Sequence, residues 1–334
     1  MTLDEPVPGL IRIRLPLPFQ LNHVYVHAVR RNGGWMLIDT GLGDQACMDA
    51  LDDAFIQAGI LWRDVNGIFL THTHPDHVGG APELLKRTGA RLWMSAGERD
   101  HLAEVATSAH VADWFTPTVR RAGANESEIS EMEEAFTSVR HKFVPLQPDH
   151  TLRGGESIPT SLGPLQTVLT PGHSPAHLAL YQDERKLLLS GDHVLTNITP
   201  NISWMPGRDM LGEYHDSLER VARLEVDEIL PSHGRAFYGL VAWVESAKRH
   251  HQVRCDGLLN GLAMGACTAR ELLPVLWAKP LAAWNLRFAL FEVLAHLEYL
   301  FQRGMVRKVE GAIERWQVTP HARPTHTRPT HGGG

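Results

Sequence analysis

Thr71-His72-Thr73-His74-Pro75-Asp76-His77 sets three histidines and an aspartate within six positions, directly after the apolar, strand-like run Gly67-Ile68-Phe69-Leu70. Side chains alternate along an extended segment, so His72 and His74 point to the same side. Pro75 suits the first turn of a helix whose start then carries Asp76 and His77. One short segment thus offers two pairs of ligands to two metals. Imidazole nitrogen and carboxylate oxygen are suitable zinc ligands, and a pair of ions can hold a bridging hydroxide between them. A polar surface loop would account for a lone histidine, but not for this spacing between a strand and Gly79-Gly80.

Further candidates follow other apolar runs. Pro171-Gly172-His173 comes after residues 165–170, Ser190-Gly191-Asp192-His193 after 186–189, and Pro231-Ser232-His233-Gly234 after 228–230. A strand end lets a sheet present side chains to a shared cleft while the strand itself stays buried. With these residues in place the sequence resembles the metallo-β-lactamase superfamily. Its five motifs correspond to Asp39 in Ile38-Asp39-Thr40-Gly41, the 72–77 block, His173, Asp192 and His233. The resemblance covers about residues 10–240 and implies an α/β fold, a four-layer αββα sandwich with the metals at one edge. It also implies one metal on His72, His74 and His173, a second on Asp76, His77 and His233, and Asp192 bridging them. Asp39 is then a hydrogen-bond acceptor that orients a ligand imidazole or the metal-bound water. Before Gly41 it can also cap a turn. His193 is not counted in the site.

The branch can be narrowed. A bridging aspartate is typical of glyoxalase II-like hydrolases and the related nucleases, whereas antibiotic-hydrolysing members generally lack it. The gap of about forty residues from Asp192 to His233 is too short for the extra domain of messenger-RNA-processing members. Flavo-diiron proteins carry glutamate where His74 stands; persulfide dioxygenases share the block but bind a single iron and are usually shorter, and they stay as a minor alternative.

A chain of 334 residues, 43% of them hydrophobic, can bury a large core and leaves room for a second small domain after the sandwich. A formal charge of −6 gives no global attraction to phosphate backbones, so nucleic-acid binding would need a local basic patch. Met1-Thr2-Leu3-Asp4-Glu5-Pro6 has no basic, apolar leader character, and no stretch reads as a membrane span. Cys47, Cys255 and Cys267 fit reduced thiols in a cytoplasmic protein.

Along the chain, residues 10–26 read as an opening hairpin, 35–38 as a buried strand and 44–59 as a helix with Met48, Leu51 and Phe55 on its apolar face. Residues 98–150 interrupt the strand pattern with a helical insertion, either a packing or dimerising cap or a wall of the substrate cleft. The loop 197–206 places Trp204 and Met205 as cleft-wall candidates. Beyond it, 244–262, a helix opened by the capping-box spacing Thr268-Ala269-Arg270-Glu271, a third helix over 286–303 and a hairpin over 305–319 resemble a winged helix. The third helix is apolar with two acids, which suits packing better than DNA reading. Arg303, Arg307 and Lys308 are the local basic residues, and a similar C-terminal domain accompanies a single-strand-selective ribonuclease among the metallo-β-lactamase-like hydrolases.

The expected organisation is a catalytic domain over 1–243, a winged-helix-like domain over 244–320 and a disordered tail over 321–334. The expected function is a cytoplasmic dinuclear hydrolase with two divalent ions, zinc before iron or manganese. It would use a metal-bridging hydroxide, with Asp76 and Asp39 assisting, on a thioester or other activated ester-like bond of a small molecule. The alternatives are a phosphodiesterase or endoribonuclease acting on single-stranded RNA and, without catalysis, a nucleic-acid-binding module. A homodimer is compatible with either.

Overall fold

Alternation along the strands explains the layers. The computed structural model describes residues 4–320 apart from 20, 108 and 310, and the 321–334 tail lies outside the described residues. The first sheet runs in order β1 (Asp4–Val7), β2 (Leu10–Pro16), β3 (His23–Arg31), β4 (Gly34–Ile38), β5 (Val65–Phe69), β6 (Arg91–Ser95) and β7 (His150–Leu152). Strands β1 to β4 pair antiparallel and β4 to β7 parallel. The second sheet has the order β12-β11-β10-β9-β8, built from β8 (Ser157–Ile158), β9 (Leu165–Leu169), β10 (Leu178–Gln182), β11 (Leu187–Gly191) and β12 (Glu228–Pro231). Only its β11–β12 pair is parallel.

Met36 and Ile38 of β4, Phe69 of β5 and Trp93 of β6 face Leu178 and Leu180 of β10 and Leu187 and Leu189 of β11, which makes the core between the sheets. The alternate residues Trp35, Leu37, Ile68, Leu92 and Met94 turn outward onto α1 (Gln45–Ala58) and α3 (Ala81–Thr88), where Leu51, Phe55 and Leu84 are buried. Ala179, Tyr181 and Leu188 turn outward from the second sheet onto α7 (Met210–Ala222) and α8 (Leu240–Leu262). These three cores are the interfaces of a four-layer αββα sandwich, and each follows from the period of two in a strand.

The opening hairpin is present, although its second strand continues to Arg31 and pairs with β4. Between β6 and β7 the chain forms α4 (Ala96–Val105), the π-helical turn His110–Phe115, α5 (Thr116–Arg121) and α6 (Glu126–Arg140). The helical insertion therefore ends before residue 150, because His150 already pairs with Trp93 on the edge of the first sheet.

The C-terminal elements come in the expected order: α8, α9 (Ala269–Leu276) with the Thr268–Glu271 capping box, α10 (Ala283–Gln302) and the antiparallel pair β13 (Val306–Val309) and β14 (Arg315–Val318). A boundary after residue 243 falls inside α8, which starts at Leu240. Leu258, Leu290, Phe291 and Trp316 share one continuous core with Phe115 and Met132 of the insertion and Ile229 of β12. This unit is packed onto the sandwich. Among the described residues no helix is long and apolar enough to cross a membrane.

Candidate metal centre

Every expected site residue sits just beyond the carboxyl end of a strand: Asp39 after β4, the 72–77 block after β5, His173 after β9, Asp192 after β11 and His233 after β12. The two sheets bring these ends to one edge. Two tight turns aim the side chains. Gly191, at φ +55°, lies so close to His177 that a Cβ would stand 2.4 Å from its Nε2, and Gly172, at φ +134°, abuts Tyr214 before His173. Pro75 opens the short helix α2 (Pro75–Val78) with His74 as its N-cap residue, which places Asp76 and His77 on a helical turn and brings the His77 ring to 4.0 Å from that of His72.

Three interlocking groups result, each with ligand atoms within 4.8 Å of one another: His72, His74 and His173; His72, His77 and Asp192; Asp76, His77 and His233. Asp192 is central. Its oxygens lie 3.5 Å from His77 Nε2, 3.6 Å from His173 Nε2 and 3.3 Å from His233 Nε2. Asp76 lies 3.2 Å from His233 Nε2 and 3.8 Å from His77 Nε2.

Outer nitrogens are tied and inner ones converge. His77 Nδ1 donates to Asp39 Oδ2 at 2.8 Å, His173 Nδ1 to the Asn201 carbonyl at 2.8 Å and His233 Nδ1 to the His23 carbonyl at 2.7 Å. The Thr71 hydroxyl donates to Asp39 at 2.8 Å, so it accepts from His72 Nδ1 at 3.0 Å. Fixing one imidazole nitrogen in this way presents the other to a metal. His77 Nε2, His173 Nε2 and Asp192 Oδ1 are buried without a hydrogen-bond partner among the described residues.

Electrostatics separate the two halves. Burial and neighbouring imidazoles hold His72 and His74 well below the usual histidine range, and burial lowers His173 as well, so these three present neutral lone pairs. Burial also opposes the charged form of His77, but Asp192, Asp39 and Asp76 outweigh it and raise the group. At His233 the same contest, with Asp192 and Asp76 prevailing, raises it to about 10. The carboxylates of this half thus attract positive charge, and the mixed nitrogen and oxygen donors fit divalent ions.

The sequence reading placed Asp39 as an orienting acceptor, and the structure gives it that geometry. Asp39 adopts φ +64° and accepts from the Thr71 backbone amide at 2.8 Å as well as from the Thr71 hydroxyl and His77. Two neighbours escaped that reading. Glu98 accepts from the Thr73 amide and hydroxyl (3.0 and 2.8 Å) and from Ser174 Oγ and the Ala176 amide (2.6 and 2.8 Å), so it clamps the 72–77 loop to the His173 loop. Its spacing from Ser95 looks like an ordinary capping box, and Ser95 does accept from the Glu98 amide at 3.2 Å, which disguises the second task. His177 accepts from the Asp192 amide at 3.1 Å, with Thr170 holding its other nitrogen at 2.8 Å. The i, i+4 spacing from His173 was its only signal. His193 is buried with neither ring nitrogen paired among the described residues and contributes to none of the three ligand groups.

A partly open cleft runs from His74 and His173 past the insertion, the loop at Trp204 and Met205, and Phe288 and Phe291 of α10. Trp204 and Met205 do line it, and the insertion is one of its walls.

With the fold and the strand-end ligands established, comparison with known proteins is direct. Residues 20–233 match the metallo-beta-lactamase superfamily, and 255–319 match the C-terminal domain of metallo-beta-lactamase-like proteins. The chain belongs to the metallo-β-lactamase superfamily and is a metal-dependent hydrolase of that group. It is similar to the probable metallo-hydrolase YqjP of Bacillus subtilis (strain 168), with 23% identity over 87% of this chain and 92% of that protein. The crystal structure of a metallo-beta-lactamase family protein from Thermus thermophilus superposes with a TM-score of 0.83 at 30% identity, covering 94% of this chain and all of that one. A beta-lactamase domain protein from Burkholderia ambifaria gives 0.84 at 29% identity, over 95% and 94% of the two chains.

Proposed function

We propose that the chain is a dinuclear hydrolase of the glyoxalase II-like branch, acting on a thioester or other activated ester-like bond of a small molecule. The observation that carries this reading is Asp192, whose two oxygens face His77 on one side and His173 and His233 on the other. His72, His74 and His173 would hold one ion, Asp76, His77 and His233 the other, and Asp192 both; zinc suits the donors, as do iron and manganese. Such a pair supplies a hydroxide at neutral pH and polarises a carbonyl.

The remaining work falls to the protein. Asp39 keeps His77 in the tautomer that turns Nε2 inward, through the 2.8 Å bond from Nδ1. Asp76, partly exposed beside His233, would accept a hydrogen bond from the attacking water and fix its line of approach. Glu98 keeps the His74 and His173 loops in register. Trp204 and Met205 line the cleft and would contact an apolar moiety of the substrate.

The C-terminal unit resembles a winged helix in element order, yet its basic residues are engaged at home. Arg303 pairs with Asp209 at 2.7 Å, Arg307 bonds Gln317 at 2.7 Å and Lys308 bonds Glu298 at 3.1 Å. That favours the small-molecule reading over RNA. A panel of thioesters, lactones, phosphodiesters and single-stranded RNA, run with the metal-reconstituted protein, tests it. Thioester turnover with KM raised and kcat retained in Trp204→Ala is the expected result. Salt-sensitive RNA cleavage that ignores Trp204 and falls in Arg307→Ala with Lys308→Ala would overturn it.

A further inference from the structure

The cleft lined by His74 and His173 also holds a cation, Arg287, that no carboxylate neutralises among the described residues. Arg287 projects from α10 into a nest of rings: its guanidinium carbon lies 5.0 Å from the centroid of Phe136, 5.1 Å from Phe288 and 5.8 Å from both Phe115 and Trp284. The ring faces stabilise the positive charge. They do not saturate the N–H donors that lie in the guanidinium plane. Among the described residues no carboxylate pairs with Arg287, and its Nε is buried without an acceptor. Burial depresses the group only to about 10, so it stays charged at neutral pH.

A second donor repeats the pattern. Trp114 Nε1, an indole N–H that can only donate, is buried in the same wall with no acceptor among the described residues. An unmade hydrogen bond at a buried donor is costly, and here two N–H groups that can only donate border the same cleft. Thr73, Ser174, Ser203, His101 and His110 also line the cleft, and between them the walls are apolar, with Phe136, Phe291 and Met205 among them. Apolar walls with a few placed polar groups are the composition of a ligand site.

We propose that this cleft is a subsite for a monoanionic oxyanion, such as a carboxylate, carried on an apolar body of aromatic size. Arg287 holds the anion and Trp114 supplies a further N–H. Which bond is cut rests on the acyl-hydrolase reading above; the anion requirement rests on Arg287 and Trp114 alone. In the substrate, the anionic group and the scissile carbonyl are distinct groups in one cleft, because the ligand residues His74 and His173 and the cation Arg287 all line it.

The probes are 2-naphthalenesulfonate, a monoanion that ligates divalent ions poorly, and the neutral 2-naphthyl methyl sulfone of similar shape. Both are titrated calorimetrically into the metal-loaded protein. The sulfonate should bind at least ~10-fold more tightly, as expected for a charge-assisted hydrogen bond in a shielded site. Arg287→Met keeps the apolar stem and should erase that preference, while Arg287→Lys should retain part of it. Trp114→Phe, which removes only the donor, should weaken the sulfonate a few-fold and leave the sulfone unchanged. Equal binding of the two probes to the parent protein overturns the proposal, whether or not the Arg287 variants fold. So does a sulfonate preference that survives in Arg287→Met.

The thioester panel is scored separately. Arg287-dependent sulfonate binding without thioester turnover upholds the subsite and removes the acyl-hydrolase reading. Thioester turnover with indifferent probes removes the subsite and leaves that reading standing.

Discussion

Two histidine clusters among the described residues bring ligand atoms together, and they differ in how well they are built to hold a cation. The second is formed by His215 of α7, His250 and His251 of α8 and His296 of α10, with the rings of His251 and His296 5.2 Å apart. His250, His251 and Glu292 even bring ligand atoms within 4.8 Å of one another. Yet Glu292 is already satisfied: Arg254 pairs with one oxygen and Asn201 donates to the other at 2.8 Å. His296 donates to the Glu292 backbone carbonyl at 2.7 Å and accepts from His251 at 3.1 Å. Burial pushes all four imidazoles below their usual range, and they pack as neutral rings. At the strand-end centre the ionisable partners of the Asp39, Asp76 and Asp192 carboxylates are histidines, with no lysine or arginine paired to them among the described residues. Uncompensated negative charge, rather than the number of histidines, separates a cation site from a polar core.

The sharpest way to break this contrast is to empty one cluster and then the other. Asp192→Asn should abolish turnover and lower the metal found by elemental analysis, while His250→Gln with His251→Gln should leave metal content unchanged. Equal metal loss from both would dissolve the distinction. A stoichiometry of one that Asp76→Ala does not alter would replace the dinuclear proposal with a mononuclear one.

The next largest effect belongs to the second cluster and concerns stability. Arg254→Met leaves Glu292 buried beside apolar α10 neighbours and should lower unfolding free energy by about 3 kcal/mol, read as a shifted denaturant midpoint with unchanged slope. Metal content should hold. The same experiment on Arg254→Lys, which restores the charge, should recover part of the loss.

Smaller effects come from groups that orient the centre without belonging to it. Asp39→Asn sets an amide against the His77 N–H and should weaken metal retention roughly 10–100-fold in a chelator competition. Glu98→Gln, which loses the charge shared by four donors, should reduce kcat by a similar ~10–100-fold. A Glu98→Gln enzyme with full activity would show that the loops hold register unaided. Arg307→Ala with Lys308→Ala should be the mildest, within about 1 kcal/mol of the parent in stability and without effect on turnover of a small substrate.

The centre was legible because its chemistry is concentrated in short runs. His72 to His77, His173, Asp192 and His233 each follow an apolar strand, so residue type and local period together placed them. Glu98 and His177 were illegible for the opposite reason: their partners lie in loops that only the tertiary fold brings near, as with Glu98 and Ala176. Arg287 gave no signal in a helix read as a packing surface, since its meaning depends on rings from Phe115 and Phe136 far upstream. The α8 boundary was misplaced for a milder reason. Gly239, in a left-handed conformation at φ +86°, starts that helix without a side-chain cap to announce it.

The cleft draws its walls from the insertion, from the loop at Trp204 and from α10, stretches that the chain order keeps far apart. A molecule seated there would tie these stretches together only in the folded state, so mass action would make it a thermal stabiliser. At a concentration one hundred times its dissociation constant it would add about 2.7 kcal/mol. The melting temperature of the protein would then serve as a reporter on its own cargo, and a library of apolar anions could be ranked by heat resistance before any reaction had been observed.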